Sequence, residues 1–301
     1  MTTIEELKHK ITTASDLQSV VKTMKALAAV SVHQYEKAVE SLRQYDRTLE
    51  MGLQILLSRG AWQRLGNVRS PLLLSPVSKI DSRRGIVVFG SDWGMCGQFN
   101  EKIANYIVEQ KSVLLPNQKN LLLLTIGSRI DNRLAVLGYQ SEACFSVPSS
   151  VGGITSAVQE MVLILEQWRN ENRVQQIDLI YNQIVSGATY YPRKLQIFPL
   201  NREWLQSLQQ KPWVSRSLPT FTMTEERLVS ALFRQYFFVT LYRACAESLK
   251  SENTSRLTAM QMAEKNIRES LNQLKLEFNQ QRQTTITEEL LDIVAGFEAL
   301  N

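Results

Sequence analysis

The sequence predicts an α/β protein in which an open, Rossmann-like α/β domain is inserted between two long terminal helices that form an antiparallel coiled coil. Three observations carry this. From about Leu228 onward, apolar residues recur at helical spacing with no proline and no glycine before Gly296. The first 57 residues follow nearly the same stepping. Between these ends, short continuous apolar runs alternate with amphipathic stretches, the pattern of a mostly parallel sheet covered by helices.

The front helix is read over residues 1–57, where Ile4, Leu7, Ile11, Ala14, Leu17, Val21, Met24, Ala28, Tyr35, Val39 and Leu42 step by three, four or seven. Thr2 with Glu5, or Thr3 with Glu6, supplies a capping box that satisfies the first free backbone amides. At roughly 1.5 Å per residue, such a helix reaches about 80 Å, more than the width of an ordinary domain. Gly60, Gly66, Pro71 and Pro76 mark residues 58–84 as a linker. The inserted domain, 85–200, opens with Gly85 to Ser91, and Asn120 to Ile126 and Gln176 to Asn182 are further runs of the kind buried on both faces of a sheet. Helical stretches fall between them, at Gly97 to Val113, Ser128 to Leu137 and Thr155 to Asn172, and a last strand near Leu195 to Leu200 closes an edge. Pro212 and Pro219 mark a second linker, 201–221. The final helix, 222–301, begins with a Thr222 and Glu225 capping signal and carries a seam of Leu257, Met260, Ile267, Leu271, Leu274 and Phe278. The chain leaves along one helix and returns along the other, so the pair is antiparallel.

With 301 residues and 44% hydrophobic composition, the chain has ample material for a core. Its uncharged apolar runs, such as Leu121 to Ile126, fall far short of the roughly 20 residues of a membrane span. The amino end enters a helix carrying Glu5 and Glu6 with no apolar signal core, so the chain is expected to stay in the compartment where it is made, or to be a mature form. Cys96, Cys144 and Cys245 are odd in number and widely spaced, which indicates neither a disulfide framework nor a zinc site and fits a reducing cytoplasm. The net charge of +5 is concentrated in the middle, where 18 basic side chains face 11 acidic ones between residues 58 and 221. No basic run longer than Arg83 and Arg84 occurs, so this reads as a solvated surface and no nucleic-acid partner is expected.

An open sheet invites a nucleotide, and the loop after the first strand runs Ser91, Asp92, Trp93, Gly94, Met95, Cys96, Gly97, Gln98, Phe99, Asn100. It lacks both G-x-G-x-x-G and the Gly-Lys-Ser/Thr of a P-loop, so its glycines read as a tight strand-to-helix turn. Cys96 beside Ser91 and Asp92 lacks a base, since the two histidines, His9 and His33, lie on the front helix. Neither a catalytic residue, a metal nor a cofactor is indicated. The polar series Asn279 to Thr287 has two readings: an exposed helix surface, or a helix making polar contacts with a surrounding partner.

Three blocks resemble the gamma subunit of rotary F-type ATP synthases. Val21 to Ala29 looks like the family's K-x-M-x-M-V-x-A stretch, and Ser91 to Asn100 resembles S-D-R-G-L-C-G-G-F-N. The third comprises Glu247-Ser248-Leu249, Ser251-Glu252, Arg256, Ala259-Met260, and then Asn279 through Glu289 to Ile293-Val294-Ala295-Gly296. The resemblance implies a central-stalk rotor of a proton- or sodium-translocating complex, without a catalytic site of its own. Its partners would be the alpha and beta subunits of the catalytic hexamer, the epsilon subunit and the membrane c-ring. It implies a peripheral position at the cytoplasmic face of the plasma membrane, or at a thylakoid membrane.

Carried over by position, Met24, Lys25, Arg256, Arg282, Gln283, Thr287, Glu289 and Asp292 would contact the surrounding subunits, and Ser91, Asp92, Gly94, Cys96 and Gly97 would form the foot loop. Trp93 and Gln98 depart from the family's Arg and Gly, Phe297 replaces a small residue, Ser31 to Gln34 lack a basic pair, and the Glu-Pro stretch expected near 217–220 is missing. These departures point to a divergent second-type complex such as the N-type ATPases. The cysteine-bearing insert of photosynthetic members is absent, so thiol switching is not implied. Without the three blocks, helices and sheet alone fit two other readings: a coiled-coil tether or scaffold with an α/β domain, and a nucleotide-dependent enzyme.

Overall fold

The structure, a computed structural model, describes residues 3–58, 83–110, 120–213 and 222–298. Two compact units divide the chain, residues 1–30 with 256–301, and residues 31–255. The terminal helices are α1 (Ile4–Ser58) and α6 (Glu225–Glu298). Most of the first expected linker lies outside the described residues, as does 214–221 of the second.

In the larger unit, β1 (Arg84–Phe89), β2 (Leu121–Ile126), β3 (Ala143–Phe145), β4 (Gln176–Ser186) and β5 (Thr189–Phe198) form one sheet in the order β3-β2-β1-β4-β5. The first four are parallel; β5 pairs antiparallel with β4. The helices between them are α2 (Phe99–Glu109), α3 (Ser128–Val136) and α4 (Val151–Asn170). Alternation along β1 explains why both faces need covers. Val87 and Phe89 pack with α4 and with Phe237 to Leu249 of α6, whereas Ile86 and Val88 pack with α2 and α3. Burial on both sides makes the strand read as an unbroken apolar run.

The edges differ from the expectation. The strand expected at Leu195 to Leu200 is longer, β5, and forms a hairpin with β4 through Gly187, whose φ of +54° suits the turn. Strand β3 is three residues long, too short to carry a periodic signal. Within the span read as a linker, α5 (Arg202–Gln210) forms because the Asn201 side chain accepts from the Glu203 and Trp204 amides, at 2.8 and 3.4 Å. Its Leu205 and Leu208 pack with Leu49, Leu53 and Leu56 of α1 and Val229 and Phe233 of α6.

In the smaller unit, the seam on α1 is Ile4, Leu7, Ile11, Ala14, Gln18, Val21, Lys25 and Ala28, and that on α6 is Met260, Glu264, Ile267, Leu271, Leu274, Phe278, Gln281 and Thr285. Both series alternate steps of three and four without a slip. Leu17, expected in the seam, is 53% exposed, because the heptad places Gln18 there. The capping box uses Thr3 and Glu6: Glu6 N donates to Thr3 Oγ1 at 3.2 Å, and Thr3 N donates to Glu6 Oε2 at 3.1 Å. At the other helix, the first turn starts two residues later than expected, with Leu228 N donating to the Thr224 carbonyl, so Thr224 and not Thr222 occupies the cap position.

Candidate functional site

Lys25 Nζ and Glu264 Oε2 meet at 2.5 Å inside the seam, with 36% and 11% of their side chains exposed. A charged pair in a mostly apolar, otherwise uncharged seam favours one register, since a one-heptad slip separates the charges and sets Lys25 against Leu257 or Leu271. Counting three heptads outward from the pair sets Ile4 level with Thr285. The hydrogen bond and charge of Lys25, with Arg268 and Lys22 adding, hold the Glu264 carboxyl below the usual carboxylate range. A lowered folded-state value stabilises the coil above the unfolded carboxylate's pKa, and that contribution is lost as pH falls through the lowered value. Lys25→Met is expected to flatten the acid side of the coil's melting-temperature profile, read by circular dichroism from neutral pH downward. An unchanged acid slope would refute the pairing.

Beyond Thr285 no described residue outside α6 packs on the helix, and every described side chain from Ile286 to Ala295 is exposed, including Ile286, Leu290, Leu291, Ile293 and Val294. The helix persists there although Thr284, Thr285 and Thr287 are poor helix formers. Their hydroxyls donate to the carbonyls of Gln280, Gln281 and Gln283, at 3.1, 3.1 and 2.8 Å. Of the residues named from sequence, Arg282, Gln283, Thr287, Glu289 and Asp292 all lie exposed on this end. Arg256 is half-buried. Met24 sits between the seam and a second apolar stripe of Leu17, Val20, Leu27 and Val30, each more than half exposed. Exposed apolar stripes on soluble helices mark surfaces that other chains cover.

The loop after β1 is a structural knot. Ser91 is fully buried; its amide donates to Asn100 Oδ1 at 3.1 Å, its hydroxyl donates to the Trp93 carbonyl at 2.9 Å, and Asn100 Nδ2 donates back to Ser91 Oγ at 2.8 Å. Asp92 accepts from Ser128 N at 2.8 Å and Val147 N at 2.7 Å, so one carboxylate caps α3 and ties down the segment after β3. Cys96 Sγ lies 3.6 Å from Ser91 Oγ and is buried. Gly97, at φ +57°, leaves room for Ser255 Oγ, which would stand 3.3 Å from a Cβ there, while Gly94 stands against the Arg129 guanidinium. These side chains hold backbone in place, and the loop's exposed tip carries Trp93 and Met95.

A cleft of about 1120 Å³ lies between the β4–β5 face, α1, α5 and α6. Within it Arg243 pairs with Asp46 and Arg193 Nη1 donates to Gln183 Oε1 at 2.7 Å, while Glu50 pairs outward with Lys211 at 3.0 Å. Among the described residues, no group of three or more His, Cys, Asp or Glu side chains is placed to hold a metal. Nor is any described helix long and apolar enough to cross a membrane.

The class this fold defines is a coiled-coil protein carrying an inserted α/β domain. The sequence profile described as ATP synthase matches residues 3–300, and the chain belongs to that family. It is 25% identical over 306 residues to the ATP synthase gamma chain of Ehrlichia canis, with all of both chains covered. It is also 28% identical over 312 residues to that of Flavobacterium johnsoniae, again with full coverage. A chain of the Euglena gracilis mitochondrial ATP synthase structure superposes with a TM-score of 0.63 at 16% identity, covering 99% of this chain and 94% of that one.

Proposed function

We propose that this chain is the central-stalk rotor, the gamma subunit, of an ATP synthase, and that it couples rotation of a membrane ring to ATP synthesis or hydrolysis in an alpha/beta hexamer. The observation that carries the reading is the stretch of α6 beyond Thr285, whose apolar side chains Ile286, Leu290, Leu291, Ile293 and Val294 are exposed and have no partner among the described residues. A surrounding ring of subunits supplies that partner. The full-length match to gamma chains supports the same assignment. The chain then does no bond chemistry: it biases three catalytic sites by offering each a different contact set, since only differential contact energy shifts a conformational equilibrium. Met24, Lys25, Arg256, Arg282, Gln283, Thr287, Glu289 and Asp292 are the contact positions in this reading, with the epsilon subunit and c-ring engaging the α/β domain and the whole held peripherally at a membrane.

Co-expression with the alpha and beta chains tests it. The expected product is an ATP-hydrolysing assembly with one copy of this chain in each hexamer. A chain that never co-purifies with them and elutes as a homo-oligomer is a tether.

A further inference from the structure

The third sequence block that pointed to the family has a structural consequence in the larger unit. Glu247, Ser251 and Ser255 are four residues apart, so they stack on one face of α6 over about 12 Å. Each takes a polar partner from the α/β domain, the first two from β4 and the third from the β1–α2 loop and β5. Gln183 Nε2 of β4 donates to Glu247 Oε2 at 2.9 Å. Ser251 Oγ lies 2.9 Å from the Asn182 carbonyl, and also 2.8 Å from the Glu247 carbonyl of its own helix. Ser255 Oγ donates to the Cys96 carbonyl at 2.6 Å, and Tyr190 OH of β5 lies 2.9 Å from the same oxygen. A serine hydroxyl has one hydrogen, so with that hydrogen committed to Cys96, Tyr190 is the donor to Ser255. Ser251 is fully buried and Ser255 is 7% exposed. Gly97 completes the seat, because any side chain there would press on Ser255 Oγ.

We propose that Glu247, Ser251 and Ser255 are positioning residues that lock the rotational angle of the α/β domain about α6. Apolar packing is non-directional and resists rolling of a helix only through side-chain interdigitation. The bonds from Ser255 to the Cys96 carbonyl and from Tyr190 and Gln183 of the hairpin to Ser255 and Glu247 are directional, the Ser251 hydroxyl divides its one hydrogen between the Asn182 carbonyl and its own helix, and turning α6 within the domain disrupts these contacts together. Resting on the rotor reading, the lock is the route by which torque on the domain enters a helix that continues unbroken to Glu298.

The test uses the three native thiols of the full chain and a small disulfide reagent. Cys144 is exposed and reacts first, whereas Cys96 and Cys245 are buried, and burial pushes the Cys245 thiol up to about 12. Ser255→Ala is expected to speed modification of Cys96 about tenfold, the opening expected from one lost hydrogen bond, with Cys245 unchanged and Ser255→Thr restoring the slow rate. An unchanged Cys96 rate, or equal acceleration of both buried thiols, overturns the lock. Should Ser255→Ala fail to fold, Tyr190→Phe keeps the ring against Phe99 and removes only the donor, and the same two readings apply to it. This result is independent of the rotor assignment. In the assembled complex, Ser255→Ala should lower ion pumping per ATP hydrolysed, and faster Cys96 modification with no such loss would locate the failure in the rotor reading instead.

Discussion

Gly127→Ala is expected to destabilise the α/β domain by at least about 4 kcal/mol, the largest effect of any single substitution considered for this chain. Gly127 joins β2 to α3 at φ +110° and ψ 123°, a region closed to residues with a side chain. A Cβ there would stand 2.7 to 2.8 Å from the backbone N, C and O of Ser91. Ser91 cannot yield, since its amide and hydroxyl are both held by Asn100 and its carbonyl accepts from Arg129 N at 3.0 Å. Gly138 provides the control: its φ is +86°, but nothing lies within 4 Å of its Cβ position, so Gly138→Ala costs only the backbone term, about 1–2 kcal/mol. Urea unfolding followed by tryptophan fluorescence separates the two, because Trp168 is buried with its indole donating to Glu142 Oε2 at 2.8 Å. A loss at Gly127 no larger than at Gly138 would mean that the β1 and β2 loops are not packed as described.

That loop shows where sequence reading stops. Its glycines were legible as a turn, and the absent nucleotide motifs were legible as absences. Asp92 as the cap of α3 was not, because a carboxylate accepting from backbone amides 36 and 55 residues away leaves no mark at those positions. Ser255 is opaque for the same reason: it donates to the carbonyl of Cys96, 159 residues distant, and every residue has a carbonyl. The coil was legible because it is periodic, and errors arose where periodicity and polarity disagreed. Leu17 is apolar but off the heptad; Gln18 and Glu264 are polar but on it. Following the strict three-four count through polar positions would have found Glu264 opposite Lys25. In the sheet, β1 and β2 announced themselves by being buried on both faces. The hairpin strand β5 mixes Arg193, Lys194 and Gln196 with its apolar residues, since only part of it faces a core.

Removing the residues after Ile286 is expected to weaken association with the alpha/beta hexamer about a hundredfold while leaving the chain's own fold unchanged. The register explains the second half. With Lys25 against Glu264, the seam ends where Ile4 meets Thr285, so the deleted turns contribute no packing within the coil. The first half follows from four apolar side chains exposed on the removed stretch, Leu290, Leu291, Ile293 and Val294. Each is worth roughly 1.5–3 kcal/mol when fully buried. Ordering and association costs consume most of this, and a surplus on the order of 3 kcal/mol corresponds to about two decades in Kd. Thermal melting of the truncated chain should match that of the full chain, while co-purification with the hexamer and coupled ATPase fall together. Replacing Leu290 and Ile293 with glutamine should reproduce most of the loss without shortening the helix, which separates apolar contact from length. Equal melting with undiminished association and coupled ATPase would sink the rotor assignment, because a helix end with no partner among the described residues of its own chain would then have none in the complex either.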